Sequence, residues 1–423
     1  MTNSTSPILA IAAIFKNEGP YILEWLAFHR AVGIDRFFIA DNDSTDGSSE
    51  LLAALEKIGI ITLVPFPSIP GVPPQLPAYQ KIIDCYANKA DWFAFIDADE
   101  FIYPTCGDTS VKTMLNQISE IPDIGAIAIN WAIYGSSNQK NYNTGLVISR
   151  FTKRAPQEFG VNQHFKSMVR TTAYESIHRN PHIFNLKENF RYIQSDGNTL
   201  RPDTKGRDGL SEDVCWRNLR LNHYIVKSQE EFALKKSRGR ATVSSVEGLN
   251  RTQSFFNGHD RNDVTDTMAI SIIDKTDHEL TKLKYLLGSA EIKNLVIDIP
   301  FPKAPQLLGC VDTAKFSDGN LEFTGWAFFD TLAHISFHIS INNHLFDIDK
   351  HTFYDRPDVQ RAVSTAPLRC GFKVTISISK IPKKLLDSEI ELNASTTGAI
   401  SRILPGAGYS YPNITVQSST NTR

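Results

Sequence analysis

The hydrophobic positions fall into two regimes that meet near residue 300. Before that point, compact apolar runs alternate with segments of helical spacing. Residues 8–15 form a run rich in Ile and Ala that stops at Lys16-Asn17-Glu18-Gly19-Pro20, a strand running into a loop. Residues 21–32 carry Ile22, Leu23, Leu26, Ala27 and Ala31 at helical spacing and close on Gly33 as a C-terminal cap. The same rhythm continues with a strand at 36–40, a helix at 48–58, a strand at 60–65, a proline-rich crossover to Pro77 and a helix at 78–88. Residues 92–96 then make an apolar run that ends abruptly in Asp97, Asp99 and Glu100. Strands alternating with helices of roughly 10–15 residues predict a mostly parallel sheet with right-handed crossovers, a Rossmann-like α/β domain. The segments 252–262 and 276–287 are expected to finish it. Pro300, Pro302 and Pro305 mark a stiff linker. Beyond it the period changes to two, as at 335–341 and 372–378, which predicts half-buried antiparallel strands of a smaller all-β sandwich. The expected boundaries are 1–298 for the α/β domain, 299–306 for the linker, 307–412 for the sandwich and 413–423 for a disordered tail.

A chain of 423 residues can bury a core in each of two or three domains. Apolar residues make up 41% and charged residues 21%, which suggests neither disorder nor a fibrous protein. The net charge of -2 and the lack of a long basic run argue against nucleic acid as a partner. Five cysteines without a Cys-x-x-Cys pair indicate neither a disulfide framework nor a structural zinc site, and favour a reducing compartment. No run approaches a membrane span, and the polar start at 1–6 is unlike a signal peptide. A cytoplasmic protein is expected, compatible with peripheral association at the inner face of a membrane.

Asp97 and Asp99 add chemistry to this picture. Read as the carboxyl end of a strand, positions i and i+2 point to one side while Ala98 turns away. Two carboxylates side by side repel unless a cation lies between them, and a hard divalent ion held by carboxylates, water and substrate phosphates suits that arrangement. Ligands of open α/β sheets bind outside the carboxyl ends of the strands. A solvated acidic turn is the bland alternative.

Phe15-Lys16-Asn17-Glu18, Glu24-Trp25-Leu26-Ala27-Phe28-His29, the segment from Asp41 to Gly47 and that from Phe95 to Phe101 occur in order with suitable gaps. Together they resemble the family 2-like glycosyltransferases. Ile129-Asn130-Trp131, the stretch from Phe165 to Arg170 and that from Asn222 to Phe232 resemble the branch related to glycosyltransferase family 92. The likeness spans roughly residues 8–270. It implies a GT-A fold, a nucleotide-sugar donor, a UDP-sugar being the first choice, and a divalent cation, Mn2+ or alternatively Mg2+. It also implies an inverting transfer to a glycan or glycoconjugate acceptor, in bacterial surface polysaccharide synthesis.

By that resemblance, Asp97, Asp99 and His223 would hold the cation, with contact to the donor ribose as the other reading for Asp97. Phe15, Asn17 and Glu18 would line the nucleobase pocket, and Asp41 would accept a hydrogen bond from the base. Asp43, Ser44 and Asp46 read better as turn and capping residues. Lys166 and Arg170 would touch phosphate or sit at a sheet edge. Lys227, Lys236 and Arg238 are further candidates for the diphosphate, the last two in a basic loop able to close over it. An inverting transfer needs a carboxylate at the acceptor hydroxyl. Asp196, Asp203, Asp208, Glu212 and Asp213 all lie in the right interval, with Asp213, Glu212 and Asp196 put forward. Gly325-Trp326-Ala327, Arg356-Pro357-Asp358-Val359 and Gly371-Phe372 resemble a sandwich module attached to glycan-processing enzymes. Two rival functions are a non-catalytic sugar- or partner-binding protein on a GT-A scaffold and a metal-dependent phosphodiesterase.

Overall fold

Strand β1 (Leu9–Phe15) is buried along its whole length, because its two sets of alternating side chains enter two different apolar layers. Leu9, Ile11, Ala13 and Phe15 face one layer; Ala10, Ala12 and Ile14 face the other. The computed structural model describes residues 6–69, 71–106, 110–237, 253–302, 307–329, 335–341, 344–385, 388–395, 402–403 and 409–410. The chain divides into two units, residues 1–232 with 238–302, and residues 303–423 with 233–237.

In the first unit β1 is followed by α1 (Gly19–Ala31), β2 (Arg36–Asp41), α2 (Ser48–Lys57), β3 (Thr62–Pro65), α3 (Gln75–Tyr86) and β4 (Trp92–Phe95). Helix α1 ends as its sequence predicts. Gly33 takes φ +98°, the left-handed conformation that glycine adopts without a Cβ clash, and Ile34 N donates to His29 O at 2.9 Å. Downstream come β5 (Glu100–Pro104), α4 (Val111–Ser119), β6 (Ile124–Ile133), α5 (Val147–Arg150), β7 (Lys153–Arg154), β8 (Phe165–Arg170), β9 (Tyr174–Ile177), β10 (Phe184–Leu186), β11 (Arg191–Gln194) and β12 (Leu219–His223). Helix α6 (Gln229–Ser237), the helix Gln253–His259, the short β13 (Val264–Thr265) and the helix Ile270–Ser289 follow, residues 233–237 of α6 being grouped with the second unit.

The main sheet runs β3-β2-β1-β4-β8-β6-β12-β5, with β11 also on β6. The first four strands are parallel, as expected. Strand β8 then inserts antiparallel between β4 and β6, and β5 lies antiparallel to β12, so the sheet is mixed. Alternation of strands and helices fixes the parallel half; β8 and β12 come from later segments whose partners no local pattern names.

The second unit carries two antiparallel sheets. One contains β14 (Leu307–Ser317), β15 (Asn320–Phe329), β18 (Lys350–Tyr354) and β19 (Gly371–Ser377); the other contains β16 (Ser336–Ile341), β17 (His344–Asp347) and β20 (Glu389–Ser395). Phe337 of β16 meets Phe372 of β19 with ring centroids 4.7 Å apart, so the two sheets share one apolar core, the expected sandwich. The linker begins later than its prolines suggest. Ile299 is buried in the core of the first unit, and Phe301 stacks on Tyr142 at 4.2 Å. Residues 303–306 and the expected tail 413–423 lie outside the described residues.

Candidate active site

The apolar run stops being a strand at Phe95, and Asp97 to Asp99 form a turn rather than a strand end. Asp97 N donates to Glu100 Oε2 at 2.8 Å and Glu100 N to Asp97 O at 3.1 Å, which closes the reversal into β5. The two aspartates therefore do not share a strand face as expected. Asp97 Oδ1 accepts from Gln75 Nε2 at 2.7 Å and from the Tyr79 hydroxyl at 3.3 Å, and Oδ2 accepts from Lys166 Nζ at 3.0 Å. Asp99 instead faces His223, with Oδ2 and Nε2 3.4 Å apart. The expected trio of cation ligands thus separates: Asp99 and His223 come together, while Asp97 is engaged by Lys166 and Gln75.

The sheet explains how residues so far apart in sequence meet. Strand β12 pairs antiparallel with β5 in a register that sets His223 opposite Glu100, and Tyr224 N donates to Asp99 O at 2.9 Å. Helix α1 holds β5 from the other side. The Trp25 indole donates to Glu100 O at 2.9 Å, and His29 Nε2 accepts from Ile102 N at 3.2 Å while Nδ1 donates to Trp25 O. Burial lowers the His29 pKa to about 3, in keeping with this neutral tautomer. The Glu24 to His29 motif is thus the clamp behind the acidic turn.

Glu100 is the residue sequence reasoning passed over. It is fully buried, 3.7 Å from His223 Nδ1 and 3.8 Å from Lys166 Nζ. Burial pushes its carboxyl up to about 8, with the Lys166 ammonium opposing and Asp97 and Asp99 reinforcing the shift. Lys166 is 1% exposed on β8, between β4 and β6, so neither a sheet-edge charge nor a phosphate contact describes it. Asp97 and Glu100 raise its pKa against the effect of burial, which makes it their fixed counter-ion. The signal for Glu100 was a third acid after Asp99; for Lys166, no local pattern reveals a buried partner 69 positions away. Arg170 donates to the carbonyls of Ile118, Ser119 and Ile121 and lies over Trp92, so it closes the end of α4.

On the nucleotide side, the loops after β1 and β2 are stitched together. Asn17 N donates to Ser44 Oγ at 3.0 Å, and Asn17 Oδ1 accepts from Thr45 N at 2.7 Å. Asp46 accepts from Gly19 N at 2.9 Å and Ser48 N at 3.0 Å, capping α1 and α2 together. Asp43 accepts from Ser68 N at 2.7 Å, a tie between two loops that holds its carboxyl below the usual range. Asp41 is half-buried and accepts from the Ser49 hydroxyl and Ser44 N. Glu18 is buried just before α1. Phe15 is corrected: its ring is buried edge-on to Trp25 at 5.2 Å, in the core and not in a base pocket. Lys227 is corrected too. Its ammonium is buried 4.1 Å from the Tyr21 ring centroid, in a cluster with Glu231 and Arg150. The Lys236 side chain and Arg238 lie outside the described residues.

The proposed bases are not equivalent. Glu212 and Asp213 both pair with Arg201. Asp196 accepts from Asn198 N at 3.0 Å and its amide at 2.7 Å. Asp203 is buried against Arg207, and Asp208 pairs with Arg179.

The donor set fits a divalent cation in one specific way. Lys166 pairs with Asp97 and Glu100, while Asp99 lies against the His223 ring. Among the described residues no three His, Cys, Asp or Glu side chains converge to hold an ion by themselves. An ion here would take Asp99 and His223 from the protein and its other oxygens from water and substrate.

Comparison with known proteins bears on this geometry. The model of glycosyltransferase family 92 matches residues 8–202, which include the acidic turn and Lys166 and stop short of His223. A family 92 protein of Ricinus communis is 26% identical over 195 residues, 45% of this chain and 34% of its own length. One of Arabidopsis thaliana is 26% identical over 245 residues, 55% of this chain and 38% of its own. The chain therefore spans about a third of the length of the curated relatives it matches. The Staphylococcus aureus TarS crystal structure aligns at 10% identity over 94% of this chain and 77% of that one, with a TM-score of 0.28, too low to carry an argument. Among the described residues no helix is long and apolar enough to cross a membrane. The acidic turn, the α1 clamp and the buried lysine all lie inside residues 8–202, the segment that is similar to glycosyltransferase family 92.

Proposed function

We propose that this protein transfers a sugar from a nucleotide-sugar donor, a UDP-sugar first, to a glycan or glycoconjugate acceptor with the help of a divalent cation. The observation that carries this reading is the meeting of Asp99 and His223, 3.4 Å apart, with Asp99 in the acidic turn of the segment that is similar to family 92. Asp99 and His223 would hold the cation, Mn2+ or Mg2+, which when bound supplies Lewis-acid neutralisation of the leaving diphosphate. The chain's own groups do the rest. Lys166 and Gln75 fix Asp97 in one orientation, suited to accepting from donor hydroxyls. Asp41, set by Ser49 and Ser44, offers an acceptor to the base, so a base lacking the matching N–H would leave it unpaired. In an inverting transfer Asp196 is the better candidate to take the acceptor proton, since the Arg201 guanidinium engages Glu212 and Asp213. The relatives named above are plant proteins, so the reading keeps the acceptor class and leaves the bacterial setting aside. A phosphodiesterase would want more convergent ligands than the described residues provide. The test is a panel of UDP-, GDP- and TDP-sugars incubated with the full chain, with and without Mn2+, read as nucleotide release. Cation-dependent release from a UDP-sugar is expected. Release indifferent to chelation, or none from any donor, contradicts the proposal.

A further inference from the structure

The two oxygens of the Glu100 carboxyl are used unequally. Oε2 accepts from Asp97 N at 2.8 Å and lies 3.8 Å from Lys166 Nζ. Oε1 is buried, has no hydrogen-bond partner among the described residues, and lies 3.7 Å from His223 Nδ1. A buried oxygen left without a donor is costly, so the ring nitrogen it faces matters.

The fold places this oxygen from several directions. Glu100 and His223 are register partners in the antiparallel pairing of β5 with β12. The Glu100 backbone is held at both ends, its N donating to Asp97 O at 3.1 Å and its O accepting from the Trp25 indole at 2.9 Å. The Trp131 ring, 4.5 Å from the His223 ring and inclined at 69°, limits how far the imidazole can swing. A shift of about half an ångström brings Oε1 and Nδ1 within hydrogen-bond distance. A histidine that holds an ion through Nε2 carries its proton on Nδ1, and a carboxylate at Nδ1 fixes both that tautomer and the orientation of the ring. Asp99 Oδ2 lies 3.4 Å from Nε2, so the nitrogen kept unprotonated in this way is the one beside Asp99.

We infer that Glu100 is a positioning residue: its Oε1 accepts the Nδ1 proton of His223, so that Nε2 presents a lone pair to the cation beside Asp99. This inference rests on the cation reading proposed above, and the state of the His223 ring can be tested apart from it.

Glu100→Gln reverses the arrangement. Asp97 N and the Lys166 ammonium are both donors, so the new amide turns its oxygen to them and its NH2 to His223 Nδ1. The ring proton then moves to Nε2. The full chain, carrying isotope-labelled histidine, is read by long-range proton–nitrogen NMR without metal in mildly alkaline buffer, and the His223 signal is identified by its loss in His223→Gln. Mn2+ affinity in the presence of UDP is read by electron paramagnetic resonance. The native chain should show the Nδ1–H form, and Glu100→Gln should show the Nε2–H form and bind Mn2+ about 10–100-fold more weakly. Glu100→Asp keeps a charge for Lys166 but draws the carboxyl back from the ring, and should also weaken Mn2+ by about tenfold. An Nε2–H form in the native chain overturns the assignment. So does a folded Glu100→Gln that keeps either the native tautomer or the native Mn2+ affinity. If Glu100→Gln fails to fold, the native tautomer and Glu100→Asp decide. Absence of Mn2+ binding by the native chain would instead defeat the cation reading, while the tautomer would still judge Glu100.

Discussion

Asp99 stood out as part of an acidic cluster ending an apolar run and His223 by its place in a family-like motif, and the structure sets the two 3.4 Å apart. Lys166, Phe15 and Lys227 were not legible in that way, because burial is decided by segments far away in sequence. Lys166 shows what that costs a reading from local pattern: its ammonium, read as a phosphate contact, is the buried counter-ion of Asp97 and Glu100. Removing one member of a buried ionic cluster leaves the others uncompensated, a penalty of about 3–5 kcal/mol. Lys166→Met should therefore lower the unfolding free energy of the first unit by about that amount, measured by urea titration. A loss near the ~0.5 kcal/mol typical of surface substitutions would show that Lys166 is not the counter-ion. Asp41→Ala, by contrast, should leave the fold intact and reduce the preference for UDP over ADP more than it reduces the response to Mn2+. Competition titrations with the two nucleotides would reveal it, and equal losses for both would remove Asp41 from the base contact.

Elements were read more securely than their partners. Strands β1, β2 and β4 and helix α1 fell close to their predicted bounds, since alternation and helical spacing are local signals. Helix α3 began at Gln75, a turn earlier than its pattern suggested, and that extra turn supplies the Gln75 amide that donates to Asp97. The antiparallel insertion of β8 and the β12–β5 pairing that delivers His223 left no such trace, because register between distant strands is set by tertiary packing. Helix α1 also ties down α5. Both Glu24 carboxylate oxygens accept from the first N–H groups of α5, Val147 N at 2.8 Å and Ile148 N at 3.2 Å, and burial pushes this carboxyl up to about 7. The unfolded chain gives up that proton near the ordinary value of 4.5. Between those two pH values the folded state holds more protons, so this group's contribution makes stability fall as pH rises from about 4.5 to about 7 and level off above. Urea midpoints measured across that range should fall less in Glu24→Gln than in the native chain. Parallel curves would rule out Glu24 as the titrating group.

At the scale of the whole molecule, the change of hydrophobic period near residue 300 marked two units, and the structure moves their border. Because Ile299 is buried in the first unit and Phe301 stacks on Tyr142, a chain ended after Pro302 should fold, while one ended after Asp298 should be less stable and expose apolar surface. Size-exclusion chromatography and thermal melting of the two shortened chains compare them. Equal behaviour would place the border back at 298. Every residue proposed above for the donor and the cation from the described part of the structure lies before that border, so the proposed site falls in the first unit. Its central claim is that Asp99 and His223 act as one cation-binding pair at the donor diphosphate. The most direct measurement is calorimetric titration of UDP into the native chain, Asp99→Asn and His223→Ala, each with and without Mn2+. The account predicts Mn2+-enhanced binding to the native chain and loss of that enhancement in both variants, which keep their native melting behaviour. Undiminished Mn2+ enhancement in either well-folded variant would contradict it.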